Sequence, residues 1–132
     1  MPVVESEFLL ALRANDPKHK AALAILRRYT NLEVCTAAFL EITWLLRSQA
    51  KHPNEISLIL SIIRSELESR GVVEIPLTAS QLTRAHDILT RHAMTLFDAL
   101  ILANAEESRD FRLISNDNAF DATGTVQRLP FK

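Results

Sequence analysis

Four carboxylates in this chain stand in stretches that are otherwise largely apolar. Glu5 lies in VVESEFLLAL (Val3 to Leu12) and Glu41 in TAAFLEITWLL (Thr36 to Leu46). Asp98 lies in TLFDALILANA (Thr95 to Ala105), and Asp117 in LISNDNAFD (Leu113 to Asp121). A carboxylate buried without a partner costs several kcal/mol, so it neutralises, pairs with a base or binds a cation. Glu41 is nearly surrounded by Phe39, Leu40, Ile42, Trp44 and Leu45, and its nearest cation in the chain is Arg47. Acids of this kind gathered at one place would repel unless a hard cation sat among them. Mg²⁺ or Mn²⁺ held by carboxylates and water suits phosphodiester hydrolysis, because the ion polarises the phosphate and acidifies water.

Taken singly, three of these acids have simpler readings. Thr95-Leu96-Phe97-Asp98 has the spacing of a capping box. Asn116 and Asp117 suit a turn or a short cap. Glu5 and Glu7 fit a first helical turn, where the helix dipole favours them. The four together, and the elements that must position them, point beyond these readings.

Those elements alternate. Pro2 to Val4 reads as a first strand, followed by a helical run through Phe8, Leu9 and Leu12 that stops at Asn15-Asp16-Pro17. Asp16 then reads as an N-cap, with Pro17 opening the next helix. Leu32 to Cys35 is a second strand, with Thr36 capping a helix over 37–49. A helix through Ile56, Ile59, Leu60, Ile63 and Leu67 stops at Gly71. Val72 to Ile75 is a third strand. Helices over 80–92 and 95–107 follow, then a strand at 111–115, a turn at 116–122 and a fifth strand at 126–129. Short apolar strands between helices predict an α/β fold: three layers, α/β/α, around a mostly parallel sheet of four to five strands. Residues 1–132 read as a single domain, without repeat or linker. Glu5 and Asp117 follow strands, Glu41 lies one turn into the helix after a strand, and Asp98 opens a helix. In a parallel sheet such positions converge beyond the carboxyl ends of the strands, where ligands bind.

Composition narrows the classes. Hydrophobic residues make up 48% of 132, and only two glycines and five prolines occur, which favours long helices over a many-turned β fold. The formal charge of −1 gives no bulk attraction for nucleic acid. A lone Cys35 offers no internal disulfide or cysteine metal site, and fits a reducing cytosol. No apolar run is long enough to span a membrane, and no secretory signal is present. His19, His52, His86 and His92 have no ligand-like spacing.

In these motifs the chain resembles the PIN-domain ribonucleases, in particular the small VapC-type toxins of prokaryotic toxin–antitoxin pairs. The resemblance covers nearly the whole chain. The opening strand, acid and apolar helix match VVESEFLLAL. A Glu in the helix after the second strand matches Glu41. The family's DALI segment matches Asp98-Ala99-Leu100-Ile101, and an Asp after the fourth strand followed by a Phe matches Asp117 and Phe120. The first acid departs from the pattern: the family has Asp followed by Thr or Ser, and here Glu5 precedes Ser6.

The resemblance implies a PIN-like domain acting as a metal-dependent endoribonuclease. Glu5, Glu41, Asp98 and Asp117 would be its catalytic and metal-binding acids, with Mg²⁺ or Mn²⁺ as cofactor. Ser6 and Asn116 would orient them. Hydrolysis would proceed by in-line attack of water and leave a 5′-phosphate and a 3′-hydroxyl. Arg13, Lys18, Lys20, Arg47 and Lys51 are candidates to meet the RNA backbone. The resemblance also implies a homodimer in the cytoplasm, away from membranes, with a VapB-like antitoxin as partner. One alternative is the same fold with a degraded metal site, because of Glu5, serving as a binding or regulatory module. Another is a different acidic-pocket α/β protein, such as a receiver or a haloacid-dehalogenase-type phosphatase. Against that stands the absence of any Lys between Lys51 and Lys132.

Overall fold

A computed structural model describes residues 1–132. Its elements in chain order are β1 (Val3–Val4), α1 (Ser6–Leu10), α2 (His19–Arg28), β2 (Glu33–Cys35), α3 (Thr36–Ser48) and α4 (Pro53–Ser69). Then come β3 (Val73–Ile75), α5 (Ala79–Leu89), α6 (Leu96–Glu107), β4 (Arg112–Ile114), a 3₁₀ turn (Asn118–Asp121) and β5 (Gln127–Leu129). The five strands form one sheet in the order β3-β2-β1-β4-β5. Every pairing is parallel, so the sheet is wholly rather than mostly parallel.

This order has a consequence for function. From β1 the chain steps outward to β2 and β3, then crosses back to β4 on the other side of β1. Right-handed crossovers in opposite directions place helices on both faces, giving three layers. The direction of winding reverses at the carboxyl ends of β1 and β4, the position at which open parallel sheets bind ligands.

Packing follows the sequence pattern. Val3, Val4, Leu113 and Ile114 are fully buried at the centre of the sheet. The edge strands differ: Val73 and Glu74 of β3 and Gln127 of β5 are exposed, so only the inner strands are covered on both faces. α6 is buried on every side from Ala99 to Ala105, a stretch that is apolar except for Asn104.

Helix ends explain several boundaries. α4 stops in a Schellman motif, with Val72 N–H on Leu67 O (3.0 Å), Gly71 N–H on Glu68 O (3.1 Å) and Gly71 at φ +71°. α3 ends in the same motif, but its left-handed residue is Ala50, at φ +58°. Two expected caps are corrected. α2 begins at His19 rather than Pro17; Asp16 instead accepts the Lys18 N–H at 2.8 Å in a turn before the helix. Thr36 is the first residue of α3, and its hydroxyl reaches across to Glu74 and to Ile75 O on β3.

Candidate active site

Glu5 leaves β1 and caps α1. Its Oε2 accepts the Glu7 N–H at 3.0 Å and its Oε1 the Phe8 N–H at 3.2 Å. The side chain is only 5% exposed, although it carries a carboxylate. Burial pushes its pKa up to about 8; the two N–H groups oppose this rise, and the charges of Glu7 and Glu41 add to it. Glu7 is distinguished from Glu5 by a partner, since it is ion-paired with Lys18. Of the two acids in ESE, Glu5 is therefore the one without a base.

Glu41 comes from α3, facing α1. The Ser6 hydroxyl donates to Glu41 Oε1. Burial raises the Glu41 pKa, the Ser6 bond holds it back, and the charges of Asp98 and Asp117 raise it further. Asp98 opens α6. Its own N–H is received by Thr95 Oγ1 at 3.1 Å, so Thr95 caps the helix. The reciprocal box is formed instead at Thr78 and Gln81. Burial raises the Asp98 pKa too, Thr95 opposes the rise and the Asp117 charge assists it.

Asp117 follows β4 and caps the 3₁₀ turn, accepting the Ala119 N–H at 2.9 Å, while its own N–H donates to Ser115 Oγ at 3.0 Å. Asn116 does not join the acids. Its amide donates to Phe131 O at 2.6 Å and accepts the Phe131 N–H at 2.8 Å. The role foreseen for it, orienting carboxylates, is replaced by another. Phe131 packs edge-on against Phe8, with ring centroids 5.4 Å apart. Asn116 thus ties the loop carrying Asp117 to the helix that Glu5 caps.

The four acids therefore come from four separate elements; Glu5 feels the charge of Glu41, Glu41 those of Asp98 and Asp117, and Asp98 that of Asp117. None of them takes part in an ion pair. Asp110 shows what a base would do: bonded to Arg112, it is held down at about 2. As the side chains stand, no three His, Cys, Asp or Glu groups form a ready cage for one ion. Repelling carboxylates favour rotamers that keep them apart. The donor set is all oxygen, graded from buried Glu5 through half-buried Glu41 and Asp98 to exposed Asp117, and free of counter-charge, which fits a hard divalent cation.

The structure also sorts the basic residues. Lys18 is held by Glu7, Arg13 stands 4.0 Å from Asp16 and Lys51 stands 3.9 Å from Glu55, whereas Arg47 has no ion pair. His19 and His52 serve locally, His19 against Ala11 O and His52 as the cap of α4. Sequence reasoning passed over one pair. Trp44, on α3, and Phe97, the residue before Asp98, bring their rings to 6.2 Å at 45°. The available signal was spacing, since Trp44 follows Glu41 by three positions and so lies on the adjoining helix surface.

Residues 3–126 match the PIN domain family, and the chain belongs to it. No curated protein matches it in sequence. Among solved structures it resembles Mycobacterium tuberculosis VapC20, a Sarcin-Ricin loop cleaving toxin, with a TM-score of 0.75, 21% identity, and coverage of 96% of this chain and 97% of that one. It also resembles a chain of VapBC2 from Rickettsia felis, bound to a DNA fragment from their promoter (TM-score 0.71, 15% identity, 98% of each chain). A third is FitAcB from Neisseria gonorrhoeae (TM-score 0.70, 12% identity, 100% of this chain and 97% of that one). At these identities the likeness is one of fold.

Proposed function

We propose that this PIN domain, acting as one unit over residues 1–132, is a metal-dependent endoribonuclease and the VapC-type toxin of a toxin–antitoxin pair. The reading is supported by four acids without a base, Glu5 and Asp117 directly after β1 and β4 and Glu41 and Asp98 on α3 and α6, linked by the charges that act between them. Glu5, Glu41, Asp98 and Asp117 would hold Mg²⁺ or Mn²⁺. When bound, the ion supplies Lewis acidity for phosphodiester hydrolysis.

The chain's own residues set the rest. Ser6 fixes one oxygen of Glu41. The backbone of α1 fixes both oxygens of Glu5, whose pKa of about 8 keeps it protonated at neutral pH until a cation displaces the proton. Cation affinity therefore rises with pH. The Sarcin-Ricin loop cleaving activity of the M. tuberculosis neighbour supports RNA as the substrate, and the toxin–antitoxin complexes among the structural neighbours support a VapB-like partner. A homodimer in the cytoplasm completes the proposal; no helix is long and apolar enough to cross a membrane.

Incubating labelled RNA with the protein and Mn²⁺, with and without chelator, tests the activity. Chelator-sensitive cleavage is expected, and cleavage that survives chelation would overturn the metal reading. Glu5→Asp separates an adapted site from a degraded one. A degraded site gains Mn²⁺ affinity and cleavage on restoring the family acid, whereas an adapted site loses both. We expect a gain, because a pocket set by three other carboxylates has little slack for an extra methylene.

A further inference from the structure

Trp44 is the only tryptophan of the chain and is 60% exposed. It stands on α3 one turn beyond Glu41, and its ring leans on Phe97, which directly precedes Asp98 on α6. The ring pair therefore bridges the two helices that carry two of the four acids. At a tilt of 45° the rings do not stack on one another. Arg47, one turn further along α3, has no ion pair and lines a cleft of about 800 Å³ between α3 and α4, together with Lys51 and His52.

We propose that Trp44, braced by Phe97, is the stacking platform for a nucleobase next to the scissile phosphate, and that Arg47 receives a neighbouring phosphate of the same strand. The proposal rests on the nuclease reading and names how its substrate is held. A strand whose phosphate lies over Glu41 and Asp98 passes beside these rings, which are offered to an adjoining base. Single-stranded RNA offers unstacked bases, and every base has a π-face, so an exposed indole binds it without needing a particular sequence. With a net charge of −1, the chain has no general attraction for a polyanion. Its affinity must then come from stacking and from local cations set apart from the acids. Because the rings stand beside Glu41 and Asp98, the occupant is the strand held at those acids, and a second copy of the chain is an outcome of the test below.

Trp44 also reports on its own site, being the sole indole. In an Asp98→Asn background, where cleavage is removed and binding is read alone, a short dye-labelled single-stranded RNA is titrated while dye anisotropy and tryptophan emission are followed together. Quenching of Trp44 in step with binding is expected. Trp44→Leu should weaken binding by roughly 10- to 100-fold, and Trp44→Phe by much less, as loss of a single base stack does. Arg47→Gln should leave the quenching and lower the salt dependence of binding by about one counter-ion. RNA binding without quenching, or unchanged by Trp44→Leu, would overturn the platform and leave the nuclease reading standing. A Trp44→Leu variant that alters oligomeric state by size exclusion and not RNA affinity would assign the face to protein contact and overturn it equally. No RNA binding in any variant, with no cleavage by the wild type, would overturn both.

Discussion

The Ser6 hydroxyl donates to Glu41 Oε1, joining the first turn of α1 to the face of α3. One residue earlier, Glu5 is fixed by backbone N–H groups of the same turn. Two acids that are 36 positions apart in sequence are thus oriented by one turn of chain. Ser6→Ala should release Glu41 while costing only about 1 kcal/mol of stability. Mn²⁺ affinity, read by calorimetry, should fall about 10- to 100-fold, as it does when an oriented metal-binding acid loses its support. Ser6→Thr should retain most of it. An unchanged affinity in Ser6→Ala would remove Glu41 from the cation site.

The acids also set a pH dependence. Burial raises the folded-state pKa of Glu5 to about 8, and raises those of Glu33, Glu41 and Asp98. The folded chain therefore holds protons that the unfolded chain releases. For Glu5 the resulting stability is full below its unfolded value near 4.5 and is lost as pH rises towards about 8. Thermal melts in chelator should show the melting temperature falling across that interval, by roughly 5 °C or more. Glu5→Gln, which is neutral throughout, should flatten the slope. A melting temperature that rises with pH in chelator would contradict the assignment.

Ala50 occupies the left-handed position that closes α3, at φ +58°, where a Cβ is strained. Ala50→Gly should raise stability by about 0.5–1 kcal/mol, the relief of strain exceeding the added freedom of the unfolded chain. Urea denaturation read by Trp44 fluorescence measures it, and a loss of stability would show that the position is not strained.

Much of the fold could be read from the sequence because its signals are local. Gly71 marked the end of α4, and the nearly all-apolar run after Asp98 marked a helix buried on every side. The elements that carry Glu5, Glu41, Asp98 and Asp117 followed from strand–helix alternation, and the parallel sheet they frame from the apolar strands between helices. What the sequence hid was long-range pairing. Asn116 looked like a partner for the acids, yet its amide matches the backbone of Phe131, fifteen positions away. Thr36 had the identity of a cap, but β3 lies within reach of its hydroxyl. Lys18 and Glu7 pair across the turn between α1 and α2, which separates Glu7 from Glu5 in a way that spacing alone could not. Trp44 and Phe97 meet only because α3 and α6 pack together.

That Glu5, Glu41, Asp98 and Asp117 form a cation site is tested most directly by the melting temperature of wild type and Asp98→Asn, each with and without millimolar Mn²⁺. Without metal, Asp98→Asn should melt higher than wild type, because one repelling, half-buried charge is gone. With Mn²⁺, wild type should rise by about 10 °C, as a ligand bound only by the folded state stabilises it, and the variant should rise little. A variant that melts lower than wild type without metal, with an undiminished response to Mn²⁺, would contradict the claim and leave Asp98 as a helix-capping residue.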